Sequence, residues 1–182
     1  MTLVTSVTLK GVSFHLPDGS ALFSDLDLHL DQRRTALVGR NGAGKSVLAR
    51  LITGDIFPST GHCTRNGTVY YLAQYVSPDP GHTVADLAGV QHIIRALEHI
   101  EQGSTEQADF DCIGERWGIR QQLLDQLAQN NLAHLTPSTP TSALSGGEAM
   151  RVALMGAFLS QADLLILDEP TNHLDRQHRD AL

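Results

Sequence analysis

Lysine is nearly absent from this chain of 182 residues, with Lys10 and Lys45 the only two. Thirteen basic residues stand against twenty acidic ones, for a formal net charge of −7. That balance argues against a broad basic surface for nucleic acid, because phosphate contacts draw on clustered Lys and Arg. No specific DNA contact is expected. Cysteine is scarce too: Cys63 and Cys112 are too isolated for a disulfide framework or a metal site, and a reducing, cytoplasmic location is the default. No apolar run approaches the ~20 residues of a membrane span, so direct membrane insertion is not expected. The N-terminus MTLVTSVTLKG lacks the basic-then-apolar order of a signal peptide. Aromatics make up 5% of the chain, yet hydrophobic residues reach 41%, enough for a substantial core without a disorder signature. The nine histidines are scattered at spacings that suit no metal site, and read as solvated or core residues.

What the sequence does carry is Gly39-Arg40-Asn41-Gly42-Ala43-Gly44-Lys45-Ser46, with Val47 after it. Two glycines at fixed spacing before Lys and a hydroxyl residue fit a phosphate loop. Such a loop lets consecutive N–H groups surround a polyphosphate, and the helix that follows adds its positive end. Lys45 would reach the β- and γ-phosphates of such a ligand, and the Ser46 hydroxyl would ligate Mg²⁺. Thr35–Val38 is a short apolar run expected as a buried strand leading into the loop. Val47, Leu48, Leu51 and Ile52 recur at helical spacing up to Gly54, a C-cap.

Upstream, Val4 to His15 predicts one or two strands. Leu22 to Leu30 predicts an antiparallel strand with Leu22, Leu26, Leu28 and Leu30 in one phase. Val69 to Ala73 reads as a strand ending at Gln74. Near residue 80 the character changes. Thr83 and Asp86 form a capping box that opens a long helix to about Gly103, and a second helix is expected from about Ile119 to Gln129. Thr136 to Pro140 is a stiff loop out of this insert. Then come Leu144-Ser145-Gly146-Gly147-Glu148, an apolar helix from Met150 to Leu159, and Leu164-Leu165-Ile166-Leu167-Asp168-Glu169. An uninterrupted apolar run of that kind predicts a strand buried on both faces of a parallel sheet. Ser145 and Glu148 by themselves make a capping box, which explains both residues but not two consecutive glycines. Bare amides at a helix start are an anion site.

Phosphate loop, Gln74, LSGGE and LLILDEP, in that order, resemble an ABC-type ATPase domain over nearly the whole chain. The continuation Thr171-Asn172-His173-Leu174-Asp175 is most similar to the ABC-F group, soluble tandem ATPases that act on the ribosome. The resemblance implies an α/β P-loop NTPase with a mainly parallel core sheet, an antiparallel N-terminal β part and a helical insert. Residues 1–79 would form the first part of the nucleotide-binding core, 80–143 the helical subdomain and its connecting loop, and 144–182 the signature helix and acidic strand. It implies ATP and Mg²⁺ as cofactors, with Ser46, Gln74 and Asp168 at the metal and Glu169 orienting and deprotonating the attacking water. Gly39, Asn41 to Val47, and Ser145, Gly146 and Gly147 would bind nucleotide. The latter three would do so on a second ABC domain facing head to tail. Leu16 stands where the family usually places an aromatic to stack on adenine, and Val47 lacks the hydroxyl that many relatives carry there.

The family's switch histidine is expected beyond Leu182, as are a second ATPase domain and a basic linker. The chain therefore reads as the C-terminally incomplete, N-terminal part of a longer ATPase, weak or inactive by itself. The family strand between Thr35–Val38 and Leu164–Leu167 is also expected beyond Leu182, so these two should not pair directly. Two other readings stay open. One is the nucleotide-binding subunit of an ABC transporter. The other is a truncated module that binds nucleotide or a partner without turnover.

Overall fold

The computed structural model describes residues 6–31, 34–74, 79 and 81–169. The chain divides into two compact units, Met1–Ala73 with Ala162–Asp168, and Gln74–Gln161 with Glu169–Leu182. In the first, β1 (Ser6–His15) lies between antiparallel β2 (Ala21–Leu30) and antiparallel β3 (Thr60–Asn66). β4 (Val69–Leu72) pairs in parallel with β5 (Leu164–Leu167). Helix α1 (Lys45–Thr53) buries Leu48, Leu51 and Ile52 against Val7, Leu9 and Val12 of β1, with Leu164 and Ile166 on the rim of the same cluster.

The β1–β2 pair departs from simple alternation. Register shifts follow Leu9, and Asp25 of β2 is left-handed at φ 50°. The side-chain phase flips there, as it must wherever a strand gains a residue. The core face of β2 therefore holds Phe23, Leu26, Leu28 and Leu30 rather than Leu22. Within the bulge, Asp27 accepts the Gly11 N–H at 2.7 Å and Ser13 Oγ accepts the Asp25 N–H at 3.1 Å.

Three further expectations are corrected. Residues 34–40 have no regular secondary structure, and Leu37 and Val38 are 57% and 91% exposed, so Thr35–Val38 is not a buried strand. A strand is defined by its place in a hydrogen-bonded ladder, and this segment is in neither described sheet. In particular β5 pairs with β4, not with it. β5 is half-buried along its length rather than buried on both faces. Third, the helix foreseen from Thr83 to Gly103 is two helices, α2 (Val84–Leu87) and α3 (Gln91–Glu101), interrupted where Gly89 adopts φ 68°.

The second unit is helical: α2 and α3 are followed by α4 (Gln107–Ile113), α5 (Ile119–Gln129) and α6 (Gly146–Leu159). They bury one cluster that includes Ile93, Ile113, Leu123, Leu127 and Val152. The Thr83–Asp86 capping box is complete. The Pro-rich loop helps it, since the carbonyls of Thr139 and Pro137 accept the N–H groups of Val84 and Ala85 at 2.9 and 3.0 Å. Buried Thr141 donates to the carbonyls of Asp79 and His82, closing that loop onto the start of α2.

At Gly156, α6 passes close to the backbone at the end of α2. A Cβ there would sit 2.6 Å from the Ala88 carbonyl oxygen and 2.7 Å from its Cα. Gly156→Ala should therefore destabilise, even though Ala is the better helix former by about 1 kcal/mol. The clash is with backbone, which cannot rotate aside, and overpacking of this kind costs about 1–3 kcal/mol. A lower denaturant midpoint at unchanged slope is the expected result; a higher midpoint would show that the crossing can open at no cost.

Candidate functional site

The phosphate loop, residues 39–46, joins the irregular 34–38 segment to α1 and is largely exposed. Gly44 caps the helix in the left-handed region at φ 91°, and a Cβ there would come within 2.7 Å of the Phe23 ring. The left-handed backbone favours glycine there, and a side chain would also have to displace the Phe23 and Leu22 side-chain ends. The first helical hydrogen bond is Leu48 N–H to Gly44 O at 2.8 Å. The first-turn amides of Lys45, Ser46 and Val47 precede it and point out of the helix start. Lys45 Nζ donates to the carbonyls of Gly39 at 3.0 Å and Arg40 at 3.3 Å, so the ammonium lies against the loop. At the other end of α1, Gly54 is the left-handed C-cap. Arg65 of β3 donates to the carbonyls of Leu51 and Ile52, a cation at the negative helix end.

Asp168 continues the β4–β5 ladder by one residue, its N–H donating to Leu72 O at 2.9 Å. The residue is 9% exposed. Its Oδ2 accepts the Tyr71 hydroxyl at 3.1 Å, while Oδ1 accepts no hydrogen bond among the described residues. Burial first, and then the hydrogen bond to Asp168, pushes the Tyr71 phenol up to about 12, which keeps it a donor. Tyr71 was not visible as a site residue in the sequence. The signal that finds it is strand register, since Tyr71 aligns with Ile166, two residues before Asp168.

Glu169 leaves the strand direction at φ 48°, a left-handed conformation unusual for a side chain of this size. Its Oε2 accepts Gln74 Nε2 at 3.0 Å, so these two predicted site residues are in direct contact.

At α6 the capping box is complete. Ser145 Oγ accepts the Glu148 N–H, and Glu148 Oε2 accepts both the N–H and the hydroxyl of Ser145 at 2.8 and 2.7 Å. The bonds from Ser145, with His134 at 3.1 Å adding to them, hold the Glu148 carboxyl below its usual range. The N–H groups of Gly146 and Gly147 find no acceptor among the described residues, as expected for first-turn amides. Gly146 has open space where a Cβ would stand and no positive φ. Nothing among the described residues asks for glycine at that position.

A family model described as ABC transporter matches residues 23–172. The chain belongs to the ABC ATPase family. Relatives of this ABC domain include an antibiotic resistance protein of Mycobacteroides abscessus, 33% identical over 94% of the chain and 35% of the relative. They also include ABC transporter F family member 4 of Arabidopsis thaliana, 33% identical over 94% of the chain and 22% of the relative. ATP-binding cassette sub-family F member 2 of Bos taurus is 31% identical over 97% of the chain and 26% of the relative. The ABC domain thus spans roughly a quarter to a third of these curated relatives. Among solved structures, an ATP binding subunit of an ABC transporter superposes with TM-score 0.70 at 24% identity, covering 99% of this chain and 71% of that one. A metal-chelate type ABC transporter in an inward-facing conformation gives 0.66 at 24% identity, covering 97% and 65%. Both establish the ABC fold.

ABC ATPase domains bind ATP, generally with Mg²⁺, and work in pairs. The residues here fit both groups. First-turn amides and an ammonium at one loop suit phosphates, and a nearly buried carboxylate with one oxygen unbonded among the described residues suits a cation. The Thr171–Asp175 segment lies outside the described residues. No helix among the described residues is long and apolar enough to cross a membrane.

Proposed function

We propose that this ABC domain binds Mg²⁺-ATP and hydrolyses it as half of a composite site, within a cytoplasmic ABC-F protein that acts on the ribosome. Gly39, Asn41 to Ser46 and Val47 hold the phosphates, Lys45 supplying the charge. Ser46, Asp168 and Gln74 serve the metal. Glu169 accepts the proton of the attacking water. Ser145, Gly146 and Gly147 present their amides to a nucleotide held by a second ABC domain. The F-type assignment is supported by relatives of that group matching at least 94% of the chain at 31–33% identity. The observation that carries the composite site is Gly146, a glycine at a helix start that neither backbone conformation nor any neighbouring atom among the described residues requires. Close approach from outside is what remains to explain it.

Complementation tests this. Gly146→Val should spare ATP binding and lower turnover by about 10²-fold, the scale of losing a preorganised donor to the reacting oxygen. A Lys45→Ala chain should be equally slow. Mixing the two restores one intact loop facing one intact signature, so activity should reappear and rise with total concentration. Brisk, concentration-independent turnover by single chains would refute the composite site. A transporter subunit remains the alternative for the parent. Co-sedimentation of the full-length protein with ribosomal particles, and not with membrane fractions, decides between the two.

A further inference from the structure

We infer that Tyr71 is a positioning residue for the metal site, acting through Asp168. This deepens the reading above and rests on its assignment of Asp168 to the metal. Tyr71 and Asp168 are 97 residues apart in sequence and meet only because β4 and β5 run parallel in one register. Tyr71 is paired with Ile166. Asp168 lies two residues further on, and side chains two apart share a face of a strand. The phenol therefore runs along the sheet face toward the strand end, across a two-residue rise of ~6.6 Å, a length that a tyrosine side chain spans. Its hydroxyl meets Oδ2 at 3.1 Å.

The effect on the carboxylate is geometric. A short aspartate has few rotamers, and a donor on one oxygen, with the backbone N–H tied to Leu72 O, leaves the other oxygen facing a fixed direction. No other described side chain bonds Asp168, so without the hydroxyl a nearly buried carboxylate would lose its one side-chain donor. Phenylalanine at this position would fill the same space and leave the orientation unset. Groups that hold a metal ligand from behind in this way set its affinity as well as its direction.

The test reads Mg²⁺ dependence rather than turnover. Affinity for a fluorescent ATP analogue is measured on the full chain in EDTA and across a Mg²⁺ titration, for wild type, Tyr71→Phe, Asp168→Asn and the double variant. Tyr71→Phe should match wild type in EDTA and need about tenfold more Mg²⁺ to reach half its effect, a typical loss for a residue that orients a metal ligand. The double variant should behave as Asp168→Asn alone, because the hydroxyl then has no carboxylate to hold. A Tyr71→Phe midpoint within about twofold of wild type, short of the loss that orientation predicts, would overturn the inference while leaving the Asp168 assignment standing. So would a Tyr71→Phe chain that no longer binds nucleotide in EDTA, since packing of the ring would then account for the residue. If Asp168→Asn leaves the Mg²⁺ dependence unchanged, the metal assignment itself fails and this inference falls with it.

Discussion

Glu169→Gln is expected to cut ATP turnover of the paired domain by about 10²–10⁴-fold, the usual contribution of a positioned general base. Binding of a fluorescent ATP analogue should stay within error of wild type. The exchange is nearly isosteric, and the oxygen that accepts Gln74 Nε2 is kept, because a glutamine carbonyl accepts as a carboxylate does. What is lost is the capacity to take a proton from water. The left-handed backbone at Glu169 is unaffected by the change, so folding should be as well. A variant that keeps more than a tenth of wild-type turnover would move the base elsewhere, a smaller loss than base removal predicts.

Lys45→Ala is expected to weaken ATP binding at least tenfold, and by more if the ammonium meets two phosphates at once. A hydrogen bond to a charged group contributes about 1.5–3 kcal/mol, and each ~1.4 kcal/mol is tenfold in affinity. Stability should change little. The carbonyls of Gly39 and Arg40 that lose their donor lie in an exposed loop where water replaces it, and Ala suits the first turn of α1. Binding by the fluorescent analogue, with a denaturation curve beside it, separates the two effects. Unchanged affinity would mean that the loop is a turn between segments and holds no phosphate.

Features whose partners lie within a few residues of one another were legible in the chain alone. Both capping boxes, Thr83 with Asp86 and Ser145 with Glu148, form as their three-residue spacing requires, and Gly54 ends α1 as a left-handed cap. The ABC family was legible for the same reason, because its phosphate loop, signature and acidic strand end are each contiguous. Whatever depends on a distant neighbour had to wait for the folded chain. Thr60–Asn66 carries no apolar alternation and is a strand because β1 lends it hydrogen bonds. Thr35–Val38 has the composition of a strand and yet belongs to neither described sheet, since composition alone does not place a segment in a ladder. The bulge at Asp25, set by cross-strand register, replaced Leu22 with Phe23 on the core face. The link between Tyr71 and Asp168 likewise follows from the parallel alignment of β4 and β5, since strand pairing across 97 residues is chosen by the whole sheet and leaves no trace in either segment read alone.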